Sequence, residues 1–183
     1  LLRYDAPAAS LLTADKRNLI IDVYARYRIV DPLLFFQRLQ NEITANARVG
    51  DIISSELRRE VALDLQSEII SETREAIMDR VQEASNRAEI TRAEAINRER
   101  GLESADLTIL LTPHAGADEI PGARRVPTAR ERALIKENPN AIELAGFTVA
   151  YFQPLRKAFG IEVVDVRIKR ADFPPSIEPS VLQ

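Results

Sequence analysis

The sequence has no cysteine, no tryptophan, one histidine and one methionine among its 183 residues. Without cysteine the chain can form no disulfide and no thiolate metal site, and it has no cysteine nucleophile. Aromatic residues make up 5% of the chain and the net charge is −3. The chain therefore has few aromatic side chains on which bases could stack, and its net charge does not favour binding of phosphates. These absences exclude disulfide scaffolds and lead us to expect no nucleic-acid partner.

Long hydrophobic runs are missing as well. The longest uncharged apolar stretch runs from Leu144 to Leu155, and Gly146 interrupts it. A membrane-spanning helix needs about 18 or more such residues, so we expect no bilayer crossing within this sequence. The chain begins with Leu1 and its one methionine is Met78. We therefore expect a soluble piece of a longer protein.

The residues that are present suit a folded domain, because 45% of them are hydrophobic. The clearest pattern covers Asn18 to Ile29, where every odd position is apolar or aromatic. A period of two over this length predicts a strand with one buried and one solvent-exposed face. Residues 11–13 predict a short strand before it, joined by a charged turn at 14–17. We expect an antiparallel hairpin.

Two helices are predicted after the hairpin. Asp31 can cap free backbone N–H groups and Pro32 suits the first helical position, so a short helix should follow to about Leu39. We expect that helix to bury Phe35, Phe36 and Leu39 against the sheet. A second helix is predicted from about Glu42 to Leu65, with a break near Gly50 because glycine destabilises helix interiors. Its apolar stripe is Val49, Ile53, Leu57 and Val61.

A third helix is predicted from a cap at Ser71 to a stop at Gly101. After Val81 its apolar stripe shrinks to small residues, and so thin a seam needs a neighbour to be stable. We therefore treat part of it as a candidate assembly surface: Ala84, Ala88 and Ala95.

Proline and glycine punctuate residues 102–146, which predicts a loop-rich insertion with at most short elements. Residues 141–145 and 154–159 are predicted to be helical. After Gly160 a strand is predicted from Ile161 to Lys169. The order of the elements predicts an α+β fold with helices on one face of a small antiparallel sheet. The alternation predicts Val164, Val166 and Ile168 on one face and Asp165, Arg167 and Lys169 on the other.

No reaction centre is predicted. His114 lies in a loop sequence without a second imidazole or a thiolate to complete a zinc site. The sequence has no Gly-x-Ser-x-Gly elbow and no glycine-rich phosphate loop. The pairs Arg58–Arg59 and Arg124–Arg125 are interpreted as solubilising residues, and the many carboxylates as solvated helix faces. We predict no catalytic, cofactor-binding or metal-binding residue, and a binding or assembly role.

Three segments in this order resemble the stomatin/prohibitin/flotillin (SPFH, or Band 7) superfamily. They are Asp22 to Pro32, Leu57 to Val61, and Gly160 to Lys169 with Pro174 following. Within the superfamily the match is closest to the HflC branch of bacterial protease modulators. The residues that carry the resemblance are Tyr27, Arg28, Asp31, Pro32, Leu57, Arg58, Gly160, Val164, Asp165, Val166 and Pro174.

The resemblance implies an α+β SPFH domain with no active site and no cofactor. It divides the chain into the first part of that domain (1–101), an insertion (102–158), a returning strand (159–174) and the start of a helical, coiled-coil region (175–183). It also implies self-association, an HflK-like paralogue as partner, and modulation of the FtsH-type membrane AAA+ protease. The location implied is the bacterial inner membrane, reached through an anchor absent from this chain, with the SPFH domain on the periplasmic side.

The leading hypothesis is therefore a non-enzymatic scaffold that limits access to a membrane protease. The exposed face of the last strand, with Arg167 and Lys169, is the second candidate assembly surface. An alternative is a stomatin- or flotillin-like organiser of membrane microdomains without a protease partner. A carboxylate-dependent hydrolase is a remote alternative from another class.

Overall fold

The computed structural model describes residues 1–63, 74–98, 102, 104–114 and 123–172. By its contacts the chain divides into two compact units. Unit 1 comprises Leu1–Asn86 and Leu155–Gln183, and unit 2 comprises Arg87–Pro154.

Unit 1 is a four-stranded antiparallel sheet with helices on one face. Its central strand pairs along one side with the first two strands and along the other with the last. Its elements in chain order are β1 (Leu2–Asp5), β2 (Ala9–Leu12), β3 (Asn18–Ile29), α1 (Pro32–Arg38), α2 (Glu42–Leu63), α3 (Arg74–Ser85), α7 (Leu155–Phe159) and β7 (Ile161–Asp172).

Unit 2 has a separate three-stranded antiparallel sheet with β6 at its centre. Its elements are β4 (Arg87–Ile90), α4 (Arg92–Arg98), β5 (Thr108–Pro113), α5 (Ala129–Glu137), α6 (Pro139–Leu144) and β6 (Phe147–Pro154). One continuous core joins the sheet to its helices, made by Ile90, Ala95, Leu107, Ile109, Leu111, Ile135, Ile142 and Tyr151.

The predicted hairpin is confirmed: β2 and β3 pair antiparallel, with Leu11 opposite Leu19. The odd residues of β3 from Leu19 to Tyr27 are all buried. Helix α2 presents its predicted stripe as part of the same core, and all four stripe residues are buried. The Tyr27 hydroxyl donates to Asn46 Oδ1 at 2.5 Å, and burial raises the pKa of Tyr27 to about 12. The periodicity of the sequence alone therefore identified which residues of β3 and α2 are buried.

The predicted break in α2 is wrong, because the helix is continuous past Gly50. A Cβ atom at Gly50 would lie 2.5 Å from the Tyr4 hydroxyl oxygen. The β1 tyrosine therefore packs directly on the helix backbone, and a larger residue at position 50 would displace its side chain.

The junction of α1 with β7 depends on Gly160. Asp31 caps α1 as predicted, its side chain accepting from the Leu34 N–H, and Pro32 opens the helix. The Gly160 carbonyl accepts from the N–H groups of Val30 and Asp31 at 2.8 and 3.1 Å. Gly160 has φ +68°, and a Cβ there would lie 2.4 Å from the Asp31 carbonyl oxygen. Only glycine fits this turn.

The predicted burial of Phe36 is wrong. Leu39 is buried, but Phe36 and Leu33 are each 67% exposed, and α1 has no buried residue. These two side chains lie three positions apart and so share one side of the helix.

The predicted face of Val164 is also wrong. Two register shifts interrupt the β3–β7 ladder, and Val164 is the extra residue at one of them. Such a bulge reverses the side-chain alternation. Ile161 and Val163 are therefore buried before it and Val166 and Ile168 after it, whereas Val164 is 37% exposed.

The single helix predicted from Ser71 to Gly101 is wrong in its second half. Helix α3 ends at Ser85, and the chain then forms β4, which pairs with β6, before the short α4. Pairing with a strand distant in sequence overrides a locally helical pattern. The predicted cap at Ser71 and stop at Gly101 lie outside the described residues.

The sequence patterns missed the sheet of unit 2 altogether. The helices predicted at 141–145 and 154–159 are confirmed within a residue or two as α6 and α7. The strands around them are short and broken by turns, so no segment shows a long period of two. Their pairing is decided by contacts across the chain.

Candidate functional site

No catalytic constellation is assembled among the described residues. His114 is exposed on the surface, and its Nε2 lies 2.9 Å from the Thr148 hydroxyl oxygen. Within those residues no three potential ligands of the His, Cys, Asp and Glu types come together as a metal site.

The solvent-exposed face of the unit 1 sheet is a ladder of cross-strand ion pairs. Arg26 on β3 and Asp165 on β7 stand directly opposite and form a bidentate pair. Arg28 Nη2 reaches Glu162 Oε2 at 2.7 Å one step along. The Arg26 guanidinium holds the pKa of Asp165 below its usual value. Since each charge already has a partner, this part of the face offers little free charge.

Two further cations, Lys169 and Arg167, lie on the same face and differ in whether they have an ion-pair partner. Lys169 Nζ lies 3.2 Å from Asp5 Oδ1 on β1. Arg167 stands opposite Tyr24 and is exposed, and it forms no ion pair with any residue the structure describes. A guanidinium in this state is available to a carboxylate of another molecule.

Helix α1 provides the apolar part of the unit 1 surface. Leu33 and Phe36 project from one side of it, and Ile29 and Val30 just before the helix are 39% and 41% exposed. Two hydrogen bonds to the Gly160 carbonyl hold the chain where it enters the helix. Exposed apolar side chains on a fixed element are typical of an interaction surface.

The outer edge of β7 is closed by α3 and the residue after it. Asn86 accepts the Val163 N–H with Oδ1 at 2.7 Å and donates from Nδ2 to the Val163 carbonyl at 2.9 Å. Further along, the Ile168 N–H lies 3.1 Å from the Met78 sulfur. An amide side chain thus takes the place of a neighbouring strand and protects the edge.

The two neighbouring arginines of unit 2 have structural roles. Arg125 and Glu131 form a bidentate pair at 2.7 and 2.8 Å, and this lowers the pKa of Glu131 to about 2. Glu131 also completes the capping box of α5 with Thr128. Arg124 lies 4.9 Å from the Phe152 ring centroid. Arg58 is exposed on α2, whereas Arg59 is half-buried and lies 4.0 Å from the Glu56 carboxylate.

The candidate helical seam does not exist as one surface. Ala84 is half-buried on α3, whereas Ala88 lies in β4 and Ala95 in α4, both buried. Pro174 lies outside the described residues. The other structural family residues fall in the core, the α1 junction and the β3–β7 ladder of unit 1, and Leu57 and Val166 are both buried.

Sequence reasoning missed Asn86, Met78 and Gly50 as edge and packing residues. A lone Asn after a helix gives no signal of its own, because its partner, Val163, is distant in sequence. Leu33 was missed because a short apolar helix is expected to be buried.

Among the described residues, no helix is both long enough and apolar enough to cross a bilayer. Comparison with known proteins gives a consistent family. The chain is 27% identical over 179 residues to the Modulator of FtsH protease HflC of Escherichia coli K12, and equally to the protein of that name in Shigella flexneri. The match covers 97% of this chain and 45% of each relative, so the chain spans about half their length. The model of the SPFH domain / Band 7 family matches residues 3–183. The chain belongs to the SPFH domain / Band 7 family.

Proposed function

We propose that this chain is the SPFH part of a non-enzymatic scaffold subunit that modulates a membrane AAA+ protease of the FtsH type. The observation that carries the proposal is the family match along almost the whole chain, together with relatives whose name is modulator of that protease.

The subunit works by lateral association, with itself and with an HflK-like paralogue, in the bacterial inner membrane. A membrane anchor in the longer protein holds the SPFH domain on the periplasmic side. The assembled wall limits the access of substrates to the protease.

The contact surface proposed for this association has an apolar and a charged part. Leu33 and Phe36 supply the apolar part, because an apolar pair that is 67% exposed gains from burial against a neighbouring subunit. Arg167 supplies a cation without an ion pair among the described residues, and Lys169 adds a second positive charge beside it. Ala88 and Ala95 do not belong to this surface because both are buried within unit 2.

The test is assembly of the full-length protein with its paralogue in membranes. The double variant Leu33→Ser/Phe36→Ser should reduce the mass of the complex, measured after detergent extraction, and should release degradation of a membrane substrate by the protease. Leu144→Ser is the matched control, since Leu144 is 89% exposed but lies in unit 2.

An unchanged complex in the double variant would remove α1 from the contact surface. A full-length protein that remains monomeric in membranes would contradict the scaffold itself. Recovery of lipid and other membrane proteins, but never the protease, would favour the microdomain organiser instead.

A further inference from the structure

The sheet of unit 2 is open along part of one edge. Strand β5 pairs with β6 from Phe147 to Phe152, but β4 pairs only with the later part of β6, from Tyr151 to Pro154. In the part of the chain that the structure describes, no strand lies beside Phe147–Ala150 on the β4 side.

The peptide groups that face this opening can be identified. Peptide groups in an antiparallel strand alternate between its two sides. The Gly146 carbonyl accepts from the His114 N–H on the β5 side, so the N–H and C=O of Val149 point to the open side. The Leu111 peptide supports this direction for Val149, the residue opposite it on β6. Leu111 pairs with Arg125 at 2.8 and 2.9 Å, on the side of β5 that faces away from β6.

The two edges of this sheet therefore differ. The main chain of Arg125 covers the β5 edge at Leu111, whereas a cleft of about 510 Å³ lies at the β6 edge. Its lining residues are Glu89, Ile90, Thr91, Arg92, Glu94, Val149, Ala150 and Tyr151.

Two residues that line this cleft carry a buried hydrogen-bond donor without an acceptor. Tyr151 is 6% exposed and its hydroxyl makes no hydrogen bond, and the Nε–H of Arg92 is buried without an acceptor. Arg92 lies close enough to oppose the effect of burial on the pKa of Tyr151, but the two groups do not form a hydrogen bond of normal geometry. The Arg92 guanidinium donates to the Lys136 carbonyl and contacts no carboxylate among the described residues.

We propose that this cleft binds an extended peptide segment that carries a carboxylate side chain. The peptide continues the line of β4 and pairs with the exposed N–H and C=O of Val149, while its carboxylate accepts from Arg92 and Tyr151. A carboxylate is selected because both donors without an acceptor, the Arg92 Nε–H and the Tyr151 hydroxyl, can donate to its oxygens. Glu89 and Glu94 also line the cleft, and the Glu94 carboxylate accepts from the Thr91 N–H at 3.0 Å. Strand addition of this kind takes affinity from main-chain hydrogen bonds and specificity from side chains. This inference does not depend on the assembly proposed above.

The test uses the whole 183-residue chain and the peptide acetyl-TVEVT-amide, followed by amide chemical shifts in NMR titrations. We expect saturable shifts centred on Ile90, Val149 and Tyr151, and about tenfold weaker binding of the TVQVT peptide. Arg92→Gln should remove the difference between the two peptides. Glu89→Gln, on the same rim, is the control and should not weaken binding.

The main-chain part of the proposal is tested separately. Val149→Pro removes the N–H at the open edge, where proline is tolerated, and should abolish binding. Two peptides N-methylated at alternate nitrogens provide the same test without changing the protein: one should bind and the other should not. The proposal is overturned by the absence of saturation up to about 2 mM peptide, by shifts elsewhere in the chain, or by equal affinity for both peptides.

Discussion

The outer edge of β7 in unit 1 and the part of β6 in unit 2 that β4 leaves unpaired, Phe147–Ala150, differ in how their peptide groups are satisfied. At β7 the Asn86 side chain pairs with both peptide groups of Val163. At β6 the peptide groups of Val149 face a cleft with two further donors that lack acceptors. Unpaired strand edges attract other chains. Unit 1 is therefore closed along this edge and presents side chains for association, whereas unit 2 presents main chain.

The largest effect is expected from breaking the turn that holds unit 1 together. Gly160→Ala should lower the free energy of unfolding by about 3 kcal/mol or more, because it combines a left-handed φ with a clash against the Asp31 carbonyl. Chemical denaturation measures the loss. Gly146→Ala in unit 2 is the matched control: its φ is +100° but the space around its Cβ is empty. That variant should lose about 1–2 kcal/mol, and equal losses would mean that the clash is relieved by movement.

Opening the closed edge of β7 should have the next largest effect. Asn86→Ala leaves the Val163 N–H without a partner and the Val163 carbonyl with only the long contact from Gln82 Nε2 at 3.4 Å, so we expect a loss of about 2 kcal/mol. Hydrogen exchange at the Val163 amide should accelerate with it. Asn86→Asp keeps the acceptor for the N–H and should preserve most of the amide protection. Unchanged exchange in the alanine variant would show that the edge is closed by another group.

A smaller effect is expected where the main chain of Arg125 covers the β5 edge of unit 2. Arg125→Gln should cost about 1 kcal/mol near neutral pH, since the ion pair with Glu131 is partly exposed. The pair depresses the pKa of Glu131 to about 2, below its usual 4.5. Its contribution is therefore present above about pH 4.5 and is lost as the pH falls toward 2.

Acid denaturation curves test that dependence. The difference between wild type and Arg125→Gln should vanish by about pH 2. Glu131→Gln keeps an acceptor for the α5 cap but cannot titrate. Its stability should therefore depend on pH as weakly as that of Arg125→Gln. A pH-independent difference would instead point to the contact of Arg125 with Phe147.

The smallest effect is expected on the exposed face of the unit 1 sheet. A double-mutant cycle with Arg26→Gln and Asp165→Asn should give a coupling energy of about 0.5–1 kcal/mol, because solvent screens the pair. Urea denaturation of the four proteins measures it. A coupling above about 2 kcal/mol would mean that the pair holds the bulge beside Val164, and the charged face would then be structural.

The sequence predicted unit 1 far better than unit 2, for reasons seen in particular residues. The alternation in β3, the stripe of α2 and the Asp31–Pro32 start are local patterns, and all three are confirmed. Val164 was misplaced because a bulge changes the alternation without changing the composition. Strand β4 was missed because Arg87–Ile90 has helical spacing with its surroundings, and its partner is some 60 residues away.

By itself the sequence determined which residues can be buried, where helices begin, and that a family fold of the α+β type results. Those features follow from short-range periodicity and capping, which depend on residues that are close in the sequence. The tertiary structure alone decided which edges are closed and which side chains remain exposed. Asn86 closes β7, Phe36 stays in solvent and the Val149 peptide faces a cleft, because each depends on what lies across the fold.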